Sequence, residues 1–179
     1  MVKDEAIVLP QRAAGEAKAF LRVGHDGEDG LIERLLKSGA ELCEQFTGSV
    51  LIARSISEAL PARMAWQPLA RCPVRAITGA EALWRDGGTT PLPAEAYAID
   101  IDSGGTGWVR VIDSGGARQI RLAYEAGMAV DWDTLPEALR QGVVRIAAHL
   151  YAHREGDGGA APPAAVTALW RPWRRLRIG

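Results

Sequence analysis

Asp100 and Asp102 alternate within Tyr97-Ala98-Ile99-Asp100-Ile101-Asp102, so both carboxylates would project from one side of a strand. Two carboxylates at that spacing can share a proton or begin a metal site. Read as a calcium loop starting at Asp100, the sequence puts the turn glycine where it is needed, at Gly105. The closing bidentate glutamate would then be Val111, which has no oxygen to offer. A solvated hairpin end is the better account. Asp102-Ser103-Gly104-Gly105 recurs as Asp113-Ser114-Gly115-Gly116, and each copy lies between two alternating stretches. A serine nucleophile would need a His–Asp pair and a longer chain, whereas Asp and Gly suit tight turns. His149 and His153 are four residues apart on a helical stretch, a spacing that can hold zinc. Leu150-Tyr151-Ala152 between them supplies no general base, and no third ligand is evident. Positive charge near a helix C-terminus explains the pair better. Gly104-Gly105-Thr106-Gly107 lacks the spacing and the following Lys-Ser/Thr of a phosphate loop. Cys43 and Cys72 are too few and too far apart for a disulfide framework or a zinc site. No catalytic, metal-binding or cofactor-binding residue is assigned, and no cofactor is expected.

The C-terminus carries a different kind of signal. No acidic side chain follows Asp157, while Arg171, Arg174, Arg175 and Arg177 crowd the last nine residues. The whole chain has a formal net charge of −1, so a basic tail is joined to an acidic body. Such asymmetry points to a separate partner for the tail. Trp170 and Trp173 stand among these arginines, and Trp and Arg are residue types enriched at the energetic centres of interfaces. The segment reads as a docking arm that orders on a partner. The competing readings are a tail folded back on its own domain, a membrane surface, or RNA.

The elements that would carry this arm follow from periodicity. With 47% hydrophobic and 24% charged residues the composition is that of a soluble globular domain, and 179 residues suffice for a sizeable core. No apolar run is long enough to span a bilayer. The charged N-terminus lacks a signal-peptide pattern, and a reducing cytoplasm is the expected compartment. Residues 13–23 read as a short helix with Ala17, Phe20 and Leu21 inward. Residues 27–47 read as a long helix: Leu31, Ile32, Leu35, Leu36, Gly39, Leu42, Cys43 and Phe46 recur at steps of three and four. Asp26 is its expected N-cap and Thr47-Gly48 its stop. From about 49 to 124 the period becomes two, broken by turn residues, which predicts an antiparallel meander. Residues 134–155 return to a helical period, with Thr134 and Glu137 in capping-box positions. Residues 156–163, Gly-Asp-Gly-Gly-Ala-Ala-Pro-Pro, form a linker, and 164–179 the docking arm. The expected fold is thus α+β. A small bundle of two long helices plus shorter ones makes up residues 1–155 with an inserted β meander, and a C-terminal arm follows.

Four stretches in order carry a resemblance. Phe20-Leu21-Arg22-Val23 leads into Asp29-Gly30-Leu31-Ile32. Glu44-Gln45-Phe46-Thr47-Gly48 precedes an apolar strand. Leu135-Pro136-Glu137-Ala138-Leu139-Arg140-Gln141 leads into Ala147-Ala148-His149-Leu150-Tyr151-Ala152-His153-Arg154-Glu155. A Pro-flanked short helix ends in Trp170-Arg171-Pro172-Trp173-Arg174. Together they resemble the head–tail connector (adaptor, or head-completion) family of siphophage-like tailed phages and gene transfer agents. The resemblance implies a structural, non-enzymatic protein in the neck of a phage-like particle assembled in the bacterial cytoplasm. It implies a ring of copies, a dodecamer, between the portal protein and a stopper or tail-terminator protein, extending a channel that DNA crosses without specific binding. It implies that Trp170, Arg171, Trp173, Arg174, Arg175 and Arg177 dock on the portal, with no membrane partner. Residues 80–116 depart from the smallest members by being longer and richer in Gly. The rival reading is an α+β interaction module, such as a regulator, that uses the same tail on another partner.

Overall fold

Two runs of residues that are distant in sequence meet in each half of this fold. The computed structural model describes residues 1–153 and 162–175. Met1–Ala6 and Ala53–Met128 form a β unit; Ile7–Ile52 joins the described residues from Ala129 onward in a helical unit.

The β unit holds two antiparallel sheets. Its strands are β1 (Val2–Asp4), β2 (Arg54–Pro61), β3 (Gln67–Pro68), β4 (Val74–Leu83), β5 (Thr89–Pro91), β6 (Tyr97–Ile101), β7 (Gly107–Val111) and β8 (Gln119–Ala126). The first sheet has the order β1-β2-β8-β4-β5 and the second β3-β7-β6. The expected meander is therefore corrected in detail: β8, last in sequence, lies between β2 and β4. Its alternation fixes its inner face, with Ile120, Leu122, Tyr124 and Ala126 all buried while Gln119 and Ala123 are exposed. Met64-Ala65-Trp66 is an exposed connection before β3. Thr78-Gly79 marks a register irregularity inside β4, where Gly is tolerated at a bulge. At the N-terminus β1 is an edge strand on β2.

A polar network lies within this unit. The Tyr124 hydroxyl donates to Glu58 Oε2 at 2.8 Å, and the Ala70 N–H donates to the same oxygen at 3.0 Å. The Arg71 N–H donates to the Tyr124 oxygen, and Arg71 Nε reaches Asp4 Oδ2 at 2.7 Å. Burial, then the bond to Glu58, pushes the Tyr124 phenol well above its ordinary pKa.

The helical unit consists of α1 (Gln11–Leu21), α2 (Asp29–Thr47), α3 (Glu137–Ala152) and α4 (Ala164–Trp170), with a 3-10 turn at Arg171–Trp173. Small residues set its packing. Ala13, Ala14 and Ala17 are the buried positions of α1, and Phe20, expected inside, is 52% exposed. In α2 the buried positions are Ile32, Leu36, Gly39, Ala40, Cys43 and Thr47, so the inner stripe is narrower and less bulky than the apolar period implied. Gly39 shows why: a Cβ there would come within 2.8 Å of Ile146 Cγ2 and 3.1 Å of the Val143 carbonyl. Helix α3 approaches α2 that closely only because the side chain is absent.

Two caps differ from the expected ones. The N-cap of α2 is Glu28; Asp26 instead accepts from Lys18 Nζ at 2.8 Å, and Asp29 accepts from the same amine. Helix α3 starts after Pro136. Thr134 bonds Asp131 rather than capping, and Glu137 accepts from Arg140 and Gln141 on the next turn. The stop at Gly48 is as read: its φ is 70°, and its N–H donates to the Glu44 carbonyl.

Candidate functional site

The C-terminal arm begins with Pro163 as N-cap and two short turns of α4, whose buried residues are Val166 and Trp170, four apart. Trp170 is 0% exposed. Its indole lies over Gly142 of α3, where any Cβ would overlap the ring nitrogen. Its other neighbour is Phe46 of α2, with ring centroids 5.9 Å apart and planes tilted by 51°, a favourable non-parallel aromatic geometry. Past Trp170 the chain turns along the end of α2. The Arg175 N–H donates to the Thr47 carbonyl at 2.8 Å, satisfying one of the orphan acceptors of that helix end. The Arg174 guanidinium stands 5.8 Å from the Phe46 ring centroid.

The residues singled out in the arm therefore separate by position. Trp170 is taken up entirely by its own unit and serves as the anchor of α4. Arg171 and Arg174 are exposed, and Trp173 and Arg175 are half-buried. Together these four make an aromatic and cationic tip. Arg177 lies outside the described residues, as do 154–161. The receptacle, Gly142 and Phe46, was missed in the sequence. The signal for it was Gly142 itself, since a glycine within the apolar stripe of a helix costs about 1 kcal/mol against alanine unless something approaches closely.

The other chemical candidates take ordinary structural roles. Asp102 closes the β6–β7 hairpin: Oδ1 accepts the Thr106 N–H at 2.9 Å and Oδ2 the Trp108 indole N–H at 3.1 Å. Those bonds, the Trp108 one foremost, hold its carboxyl below the usual range. Asp113 Oδ1 accepts from Gly115, whose φ is 62°, in the turn before β8. Asp100 is exposed on β6, opposite Trp108. His149 and His153 stack with centroids 4.2 Å apart near the end of α3. Among the described residues, no group of three His, Cys, Asp or Glu side chains is placed to share a metal. Cys43 is buried, which pushes its thiol well above the ordinary value and makes it unreactive.

No protein-family model matches the chain, and no curated protein matches it. Solved structures do. Over 99% of this chain and 97% of the other, it is similar to a chain in the neck of an empty gene transfer agent (GTA) particle computed with C6 symmetry. The identity is 25% and the TM-score 0.78. It is similar over the same shares to a chain of the virion of a native GTA particle, at 27% identity and TM-score 0.76. A chain from the neck of a native GTA particle computed with C12 symmetry gives 26% and 0.72. Both units and the arm fall within the matched length.

This end-to-end likeness supports a structural component of the neck, of the head–tail connector kind. The arm tip, with Arg171 and Arg174 exposed beside the half-buried Trp173, is the chain's candidate functional site. Among its described residues no helix is long and apolar enough to cross a membrane.

Proposed function

We propose that this connector is the adaptor of a phage-like particle. Its copies form a ring between the portal and the stopper or tail, and the ring extends the DNA channel. The observation that carries this reading is the end-to-end likeness to neck chains from particles computed with C6 and C12 symmetry. Cyclic symmetry of that order supports a ring of twelve. The arm tip docks on the portal through Arg171, Trp173, Arg174 and Arg175, with Arg177 beyond the described residues contributing charge. Trp170 acts indirectly, by fixing the tip on α2 and α3. Exposed arginines around a half-buried tryptophan are suited to an acidic, partly apolar groove on a partner. DNA passes through without specific binding, in keeping with a net charge near zero.

The test is co-sedimentation with a portal ring from the same genome. Truncating the arm would remove Trp170 and unfold its own unit, so point variants are required. Wild type should pellet with the portal, and Arg171→Glu/Arg174→Glu with Trp173→Ala should remain in the supernatant while keeping its circular dichroism spectrum. Equal binding by both would move the contact off the arm tip. Absence of binding by wild type would favour the reading as an interaction module for another partner.

A further inference from the structure

Two surfaces of the β unit remain without a role, and they lie at opposite ends of β4. At one end is the β6–β7 hairpin. The Val74 N–H donates to the Gly105 carbonyl at 2.8 Å, which ties the hairpin tip to the first residue of β4. Asp100 is exposed there without an ion pair among the described residues, and Asp102, held charged by its two donors, lies on the same side of β6. The hairpin also has a free edge. Ile112 N–H bonds the Ala96 carbonyl and Asp102 N–H the Thr106 carbonyl, so bonded pairs fall at even positions of β6. The backbone groups of Tyr97, Ile99 and Ile101 point away from β7, and no strand of the described residues pairs with them. Ile99 and Ile101 are 44% and 40% exposed. Neither a lysine, a proline nor a bulge protects this edge.

At the other end of β4, past Leu83, is a groove of about 900 Å³ lined by Pro61, Leu83, Trp84, Asp86, Arg85 and Arg118, among others. Arg85 and Arg118 are exposed and have no ion pair among the described residues, and Asp86 is turned to the Gly88 N–H. The groove thus joins an apolar wall to two unpaired cations. The ten residues of β4, at about 3.3 Å each, put some 30 Å between groove and hairpin tip, so they cannot serve each other within one chain.

We infer that the Trp84/Arg85/Arg118 groove receives the Asp100/Asp102 hairpin of the next copy of this chain. The charges are complementary, apolar residues flank them on both sides, and the two surfaces differ from each other. A contact between unlike surfaces at opposite ends of a body is head-to-tail, and such contacts close into rings when the rotation allows. The inference rests on the ring reading above and supplies the contact that would hold neighbouring copies together.

Charge reversal tests it on the full chain, with assembly followed by mass photometry, free and on the portal ring. Arg118→Glu turns one of the two groove cations into an anion, and Asp100→Arg turns the exposed anion of the hairpin into a cation. Each alone should lose association at least about tenfold, because like charges then face each other. Mixing the two in equal amounts should restore it, since the reversed groove charge then meets the reversed hairpin charge, and the unaltered groove the unaltered hairpin. Melting curves matching wild type exclude misfolding as the cause. Assembly by each variant alone, as well as by wild type, would overturn this interface and leave the adaptor reading intact. Loss in both variants without rescue on mixing would overturn the pairing. Wild-type copies that stay monomeric, free and with the portal, would overturn it together with the ring.

Discussion

The two units use the same residue type in opposite ways. In the helical unit Trp132 and Trp170 are fully enclosed, the first donating to Glu16 and the second lying over Gly142 and against Phe46. In the β unit Trp66 and Trp84 are 44% and 38% exposed, one beneath the Arg110 guanidinium and the other lining the arginine groove. Trp132 and Trp170 are thus core anchors, whereas Trp66 and Trp84 are surface residues with cations beside them. The difference teaches that an aromatic, arginine-rich segment is not by that fact an external docking surface. The arm of the helical unit spends its first tryptophan on its own stability, and only the tip beyond it is left for a partner.

The comparison breaks if burial does not translate into stability. Trp170→Ala should cost about 3–5 kcal/mol, the range for removing a large buried aromatic, measured as a drop in the denaturant midpoint of the helical unit. Trp84→Ala, made in the β unit, should leave that midpoint nearly unchanged. Next in size is Tyr124→Phe. It removes one of the donors to the enclosed Glu58 carboxyl and should destabilise the β unit by about 1–3 kcal/mol. Glu58→Gln, which can still accept from Tyr124, should cost less in the same urea titration. A smaller effect is expected for Arg174→Ala, because an exposed guanidinium over Phe46 is worth about 0.5–1 kcal/mol. If it nevertheless abolishes portal binding, stability and docking are separated at adjacent positions of one arm.

The smallest effect concerns pH. The folded-state pKa of Asp102 is depressed by the Trp108 and Thr106 donors. Its contribution is therefore present above the unfolded carboxylate value of about 3.9 and is lost as pH falls through the folded value. Melting temperatures recorded from neutral pH downwards should show wild type losing more than Asp102→Asn below about pH 4. Parallel curves would contradict the hydrogen-bond account of the hairpin tip.

What could be read from residues alone followed local rules. The stop at Gly48, both Asp-Ser-Gly-Gly turns and the helical periods of α2 and α3 depend on backbone conformations that a few residues dictate. The four ordered stretches also carried the family likeness before any geometry was known. What escaped depended on partners far away in sequence. The inner face of α1 is made of Ala13, Ala14 and Ala17 instead of Phe20, because close helix packing favours small side chains over hydrophobic ones. The place of β8 between β2 and β4 cannot be read from alternation, which fixes a face but not a neighbour. Burial of Trp170 required knowing that Gly142 and Phe46 lie together on neighbouring helices. The arm's composition spoke for an interface; it gave no sign that part of the interface is internal.

The central claim is that this chain is a ring-forming adaptor, and electron cryo-microscopy of the portal mixed with the full chain tests it most directly. The account predicts a closed ring of connector copies on one end of the portal, with the Arg171–Arg175 tip at the contact and a continuous open channel through both. A portal that remains bare at saturating connector, or one decorated by isolated copies that do not touch each other, would contradict it.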